Sequence, residues 1–151
     1  MAVSESTGSK DYVQQTGSRK AAYANSIIRV FTLPRPANAD AAETGTFLAE
    51  FTVNAGAFTP GEADNGLNFG TSSGGILAKA SGEVWATIAD ASGNAYWWRL
   101  YSNEVTEGVS TTAKRIDGLC STAEGSDFQF STLAMTAGGG ATISAFNLIQ
   151  P

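Results

Sequence analysis

From residue 26 to residue 149 the chain is a series of short apolar runs, five to nine residues long, separated by clusters of Gly, Ser, Asn, Asp and Pro. Runs of that length between turn-forming residues are the habit of an all-β sandwich or barrel, in which each strand is short and needs a reversal at either end. The pattern predicts strands over 26–33, 47–54, 66–70, 75–80, 83–90, 95–102, 111–119, 127–135 and 141–149. Eight or nine strands suit a two-sheet jelly roll. The expected fold is therefore all-β, a jelly-roll-like β-sandwich of about eight strands.

Alternation inside the runs predicts faces. In 47–54, Phe47, Ala49, Phe51 and Val53 share one side while Leu48, Glu50 and Thr52 share the other, so one side of that strand is buried. In 83–90, Val84, Ala86 and Ile88 alternate with Glu83, Trp85 and Thr87, and Gly93 and Asn94 then offer a tight reversal into 95–102. A hairpin between those two strands is expected. The stretch 34–45 contains two prolines that cannot continue a ladder, which makes it a long surface connection of the kind that meets partners. Gly138, Gly139 and Gly140 read as a tight turn between two core strands. Helix is expected only within 18–26, where Ala21, Ala22 and Ala24 favour a turn or two. Residues 1–20 are polar and without period, and they read as an extended N-terminal arm outside the core, followed by a β-sandwich domain over 21–151.

Composition narrows the function. Only 15% of the residues are charged, against about 25% in a typical soluble domain, so much of the surface is built from small uncharged side chains. Net charge is −5, and the nine Lys and Arg form no basic stripe, which argues against a nucleic-acid partner. No window approaches the roughly 18 apolar residues that span a bilayer, and the start MAVSESTGSKDY has no apolar run to serve as a signal core. Cytosolic synthesis without a membrane partner is expected. The single cysteine, Cys120, has no internal disulfide partner and reads as a buried structural thiol.

The chain contains no histidine, which removes the commonest general base, the usual partner of a serine or cysteine nucleophile and the commonest metal ligand. A two-carboxylate mechanism stays formally open through Glu83, Asp90, Glu104, Glu107, Asp117, Glu124 and Asp127, but such residues read first as solvated surface charges. The loops at 90–94 and 63–66 lack the spacing of a calcium loop, and the glycine-rich 70–75 lacks the Gly-Lys-Ser/Thr ending of a phosphate loop. Neither a metal nor a cofactor is expected, and no catalytic residue is assigned.

The strand Ala-Tyr-Trp-Trp-Arg-Leu-Tyr-Ser carries the strongest signal. Alternation puts Trp97, Arg99 and Tyr101 on one side and Tyr96, Trp98 and Leu100 on the other. One side reads as core and the other as an association surface, because aromatics and Arg are enriched where proteins bury surface against each other. Trp97, Arg99 and Tyr101 are the expected self-association residues. A carbohydrate platform formed by Trp97 and Trp98 is the rival reading.

Three segments together carry a resemblance. They are SIIRVFTLPRPANADAAETGTFLAEFTVNAGAF, with its Arg-Pro connection and Leu-Ala-Glu-Phe-Thr strand, AYWWRLYSN, and STAEGSDFQFSTLAMTAGGGATISAFNLI. Over about residues 26–149 this layout resembles a family of small virion structural proteins of tailed bacteriophages that look like capsid decoration, or cement, proteins. Departures from the pattern are Phe128 and Phe130, where smaller aliphatic residues are usual, and a longer polar segment before residue 20. The resemblance implies a non-enzymatic jelly-roll-like protein on the capsid exterior of the virion, made in the host cytoplasm and partnered by the major capsid protein and by itself as a dimer or trimer. It also implies a capsid-facing surface in the N-terminal segment and the 34–45 connection, where Tyr12, Arg19, Arg35 and Pro36 are the expected contacts. A tail or head-tail adaptor or fibre component is the alternative within the virion.

Overall fold

The computed structural model describes residues 3–149. In chain order its elements are β1 (Ser4–Glu5), α1 (Thr7–Gln15), α2 (Arg19–Ala22), β2 (Ile27–Phe31), β3 (Phe47–Val53), β4 (Ile76–Ala78), β5 (Trp85–Ile88), β6 (Gly93–Asn94), β7 (Trp97–Tyr101), β8 (Arg115–Leu119), β9 (Phe128–Phe130), β10 (Ala134–Met135) and β11 (Gly140–Ile149). The expectation of an all-β, sandwich-like fold holds. Eight strands form one antiparallel sheet in the order β1-β8-β7-β2-β3-β5-β11-β4, and β9 adds to β11.

The sheet is curled so that its two halves face each other. Trp98 of β7 lies 4.7 Å from both Phe128 of β9 and Phe146 of β11, ring centre to ring centre, and Phe51 of β3 meets Phe130 of β9 at 5.6 Å. The curl closes further where the chain after β8 bridges β9, with the Phe130 N–H donating to the Ser121 carbonyl at 2.8 Å. The long β11 serves as a spine of the second half. It pairs with β5 over Gly140–Ile143, with β4 over Asn147–Ile149 and with β9 between, where the register slips at 143–145. That slip lets Ile143 and Phe146, an odd and an even position, both point into the core.

Burial of large rings drives this arrangement. Trp85, Trp98, Phe51, Phe130 and Phe146 are all essentially inaccessible, and aromatic side chains remove more surface from water than any others. Phe128 and Phe130, the heavier residues at the end of the chain, are therefore core. Trp98 fits because its neighbour across β8 is Gly118: a Cβ there would stand 2.2 Å from the indole ring.

Several expectations are corrected. Strands 83–90 and 95–102 do not form a hairpin. β5 pairs with β3 and β11, whereas β7 pairs with β2 and β8, because Trp85 and Trp98 belong to opposite halves of the curl. The intervening Gly93–Asn94 instead forms a small ribbon with Ala134–Met135, which breaks the predicted 127–135 strand in two. The 66–70 run contributes isolated bridges through Leu67 and Phe69 rather than a strand. Leu48 is buried as well as Ala49 and Phe51, so β3 is covered on both sides near its start.

The largest correction concerns the N-terminal segment, which is not an extended arm outside the core. Ser4 and Glu5 pair with Asp117 and Ile116 of β8. Ser6 then caps α1 by accepting from the Ser9 N–H at 3.2 Å, accepts from the Arg115 N–H at 2.8 Å and donates to the Ala113 carbonyl at 2.8 Å. Gly8 lets α1 sit on the backbone of Thr112, whose carbonyl oxygen would be 2.2 Å from a Cβ. The buried Tyr23 hydroxyl donates to Ser9, Ser9 donates to Glu5, and Arg19 pairs with the same carboxylate at 3.0 Å. The segment is held by hydrogen bonds and close backbone approach, not by apolar periodicity, and a hydrophobic pattern cannot register that.

Candidate interaction surfaces

In the first half of the curl, the outer side of β2, β7 and β8 carries three transverse rows. Register places Phe31 beside Trp97, Arg29 beside Arg99 and Asp117, and Ile27 beside Tyr101 and Arg115. Glu50 of β3 extends the middle row next to Arg29. A row of charges across four strands, two guanidiniums flanked by a carboxylate at each end, follows from the sequence spacing of Glu50, Arg29, Arg99 and Asp117 once those strands are neighbours.

This side is not open. The 34–45 connection and the 103–112 loop cover it, and the arginines hold them there. Arg99 donates Nε and Nη2 to the two Asp117 oxygens at 2.6 and 2.8 Å, and its Nη1 reaches the Ala41 carbonyl at 2.9 Å and Glu43 at 3.0 Å. Arg115 donates to four main-chain carbonyls, those of Thr106, Gly108, Ser110 and Asp40. Glu43 also accepts from the Tyr101 hydroxyl at 2.8 Å and the Gly108 N–H at 2.9 Å. Arg29 pairs with Glu50 at 2.9 Å and Glu107 at 2.5 Å, and its guanidinium lies over the Tyr101 and Phe47 rings.

The expected self-association residues are thereby relocated. Trp97, Arg99 and Tyr101 have no exposed surface. Trp97 stacks on Phe31 at 4.5 Å, with nearly parallel planes, and donates its indole N–H to the Thr32 carbonyl. The composition signal was real, but what these residues bury against is the chain's own loops. Trp98 is likewise buried, so neither ring of the carbohydrate reading can serve as a platform.

The expected capsid contacts are also partly used internally. Pro36 is buried. Arg19 is committed to Glu5, and Tyr12 is half-buried against the core with the Lys114 ammonium over its ring. Arg35, half-buried, donates to the Asp117 carbonyl at 3.3 Å. The exposed side chains near that connection are others. Leu33, before the cis Leu33–Pro34 bond, is 61% exposed and Tyr96 is 42% exposed. With Phe47 they stand at the end of the sheet, at or just past the last paired residues Phe31, Phe47 and Trp97. Alternation groups Phe47 with buried Ala49 and Phe51, but at the first residue of β3 it stays exposed, and Leu33 and Tyr96 emerge only from where β2 and β7 stop.

Electrostatics in this region is structural. Burial pushes the Asp117 carboxyl above its ordinary value even with two guanidinium bonds pulling it down. For Glu43 partial burial also pushes upward, but the Gly108 N–H, the Tyr101 hydroxyl and Arg99 outweigh it and hold the carboxyl below its ordinary value. Burial beside Glu43 drives the Tyr101 hydroxyl far up, out of any physiological titration. Asp117 is thus no solvated surface carboxylate. Glu43, Glu50, Asp90 and Glu107 do line one open cavity of about 470 Å³ with Arg29, Phe31 and Phe47, yet Glu43, Glu50 and Glu107 hold internal partners. A second cavity of about 570 Å³ lies between the start of the chain and β11, bordered by Glu5, Lys10, Arg19, Asp40, Phe128 and Leu148 among others. Among the described residues no group of three His, Cys, Asp or Glu could hold a metal, and no helix is long and apolar enough to cross a membrane. Burial pushes the Cys120 thiol upward, away from the reactive thiolate.

Compared with known family models, curated proteins and solved structures, the chain has no match.

Proposed function

We propose that this chain is a virion structural protein of the tailed-phage decoration type, a jelly-roll-like module that binds the outside of a shell of major capsid protein and stabilises it. The observation that carries the reading is the contact end formed by Leu33, Phe47 and Tyr96. These apolar side chains are exposed on a backbone fixed from beneath by the Phe31–Trp97 stack and the Arg99 and Arg115 contacts to the covering loops. A preordered apolar end loses little conformational entropy on docking, which suits a protein that works by being bound. Arg35 and the 34–45 connection adjoin this end and remain the polar part of the proposed contact.

Stabilisation then follows from mass action. A protein that binds the assembled shell and not its dissociated parts shifts the equilibrium toward the shell, and many symmetric sites multiply a modest contact. The test is sedimentation of the purified chain with shells of the cognate major capsid protein. Saturable co-sedimentation, at least about tenfold weaker for Leu33→Asp combined with Tyr96→Ala, supports the reading. Failure of the wild-type chain to sediment with intact shells rejects it.

A further inference from the structure

β1 is an end strand of the sheet, and only one of its two edges is paired. Ser6 donates its N–H to the Arg115 carbonyl at 2.9 Å and Ser4 sits opposite Asp117, so Ser4 and Ser6 turn their main-chain groups toward β8. Successive residues of a strand turn theirs to opposite edges, which sends those of Val3 and Glu5 away from β8. Among the described residues neither finds a main-chain partner there. The covering 34–45 connection does not take this edge, because its Ala39 N–H goes to the Ser4 hydroxyl instead.

The end of β11 repeats the pattern. Phe146 accepts from the Lys79 N–H at 3.0 Å, which sets Phe146 and Leu148 toward β4 and turns Asn147 and Ile149 the other way. Asn147 donates to the Asp127 carbonyl at 2.8 Å, whereas Ile149 has no main-chain partner on that side among the described residues. Both unpaired edges, that of Val3 and Glu5 and that of Ile149, border the same cavity of about 570 Å³.

We propose that this cavity takes an extended, uncharged segment of a partner protein, which adds to β1 as a further strand. Donors and acceptors spaced along a free strand edge are the complement of another strand, and the pockets beside them select its side chains. Ile116, Phe128 and Leu148 line the cavity and offer an apolar seat, with Val3 and Ile149, 41% and 51% exposed, at its two sides. Charge defines the occupant further. Of the charged residues that border the cavity, Arg19 is bonded to Glu5 at 3.0 Å and Lys10 stands within electrostatic reach of Asp40, which leaves Asp127 alone. A charged side chain in the segment would compete with one of these pairs, and an uncharged one leaves them intact. The chain's own longest uncharged run, 128–149, is already tied into β9, β10 and β11, so the segment belongs to a different protein.

The probe is the peptide acetyl-Thr-Val-Thr-Val-Thr-amide, titrated into the isotope-labelled chain and followed by amide chemical shifts. Saturable shifts confined to residues 3–6, 127–128 and 147–149 are expected, with a Kd of about 1 mM. The same peptide N-methylated at every residue keeps its side chains but loses its main-chain donors, and it should bind at least about tenfold more weakly. Val3→Pro deletes a donor that faces the cavity and none that faces β8, so it should weaken the unmethylated peptide about threefold or more while the melting temperature stays the same. If that variant does not fold, the comparison of the two peptides on the wild-type chain decides alone. Absence of saturable shifts at about 5 mM peptide, shifts that map elsewhere, or equal binding of the N-methylated peptide overturns the proposal. Shifts of residues 3–6 that follow the chain's own concentration without peptide overturn it too, by giving the edge to a second copy. None of these readings needs the shell experiment to succeed.

Discussion

Arg99 and Asp117 face each other across β7 and β8 through two parallel hydrogen bonds, 2.6 and 2.8 Å long, and neither side chain has any exposed surface. The pair links the sheet to its cover, since Arg99 also reaches Ala41 and Glu43 in the 34–45 connection. Its worth lies less in the attraction than in what either partner becomes alone. Removing one side leaves a buried, uncompensated charge.

Asp117→Asn or Arg99→Met should therefore each destabilise the fold by about 3–5 kcal/mol, while the double substitution costs clearly less than the two together. Urea unfolding of the four proteins of the cycle measures it. Strict additivity would mean that the two groups do not depend on each other.

Acid should weaken the fold. The carboxyls of Asp40, Glu43 and Glu104 are each held below their ordinary values, Asp40 by the Thr7 hydroxyl and N–H and Glu104 by Ser102 and Lys114, in every case against an upward push from burial. A group depressed in the folded state contributes fully above its unfolded value and loses that contribution as pH falls, because the unfolded chain takes up the proton first. Asp117, raised by burial, acts in the opposite sense but is one group against three. The urea midpoint should fall steadily below about pH 5, and Glu43→Gln should flatten the fall. An unchanged slope in that variant would remove Glu43 from the account.

Deleting residues 1–20 should destabilise the domain rather than trim an arm. It strips β1 from β8, removes the Ser6 contacts to Arg115 and Ala113, and leaves the Tyr23 hydroxyl buried without Ser9. Each buried group left without a partner costs about 1–3 kcal/mol. A drop in Tm of about 10 °C or more is expected, at about 2–4 °C per kcal/mol for a chain of this size. A deleted protein that melts with the full chain would restore the arm.

Gly118→Ala should be unexpectedly costly for so small a change. Its Cβ would meet the Trp98 ring at 2.2 Å in a position where the ring is wedged between Phe128 and Phe146. Overpacking of that kind costs about 1–3 kcal/mol. Full stability in the variant would mean that Trp98 has room to move.

The strands were legible because their signal is local. β2, β3, β7, β8 and β11 lie where alternation and turn residues place them. Pairing was not legible, since Gly93 and Asn94 look the same whether they close a hairpin or join Ala134 and Met135. For Trp97, Arg99 and Tyr101 the residue types announced burial against a protein surface, but they could not say whose. That surface proved to be the chain's own 34–45 connection, brought back by Arg99 and Glu43, residues 56 positions apart. The N-terminal helix escaped notice because Ser6, Gly8 and Ser9 hold it by capping and close approach, and none of them adds to a hydrophobic pattern.

A cryo-EM map of the intact particle tests the central claim most directly. Density for this domain is expected at regular positions over the whole outer shell, with the end bearing Leu33, Phe47 and Tyr96 turned toward the major capsid protein. Density confined to one vertex or to the tail, or shells that carry none of it, would contradict a decoration protein.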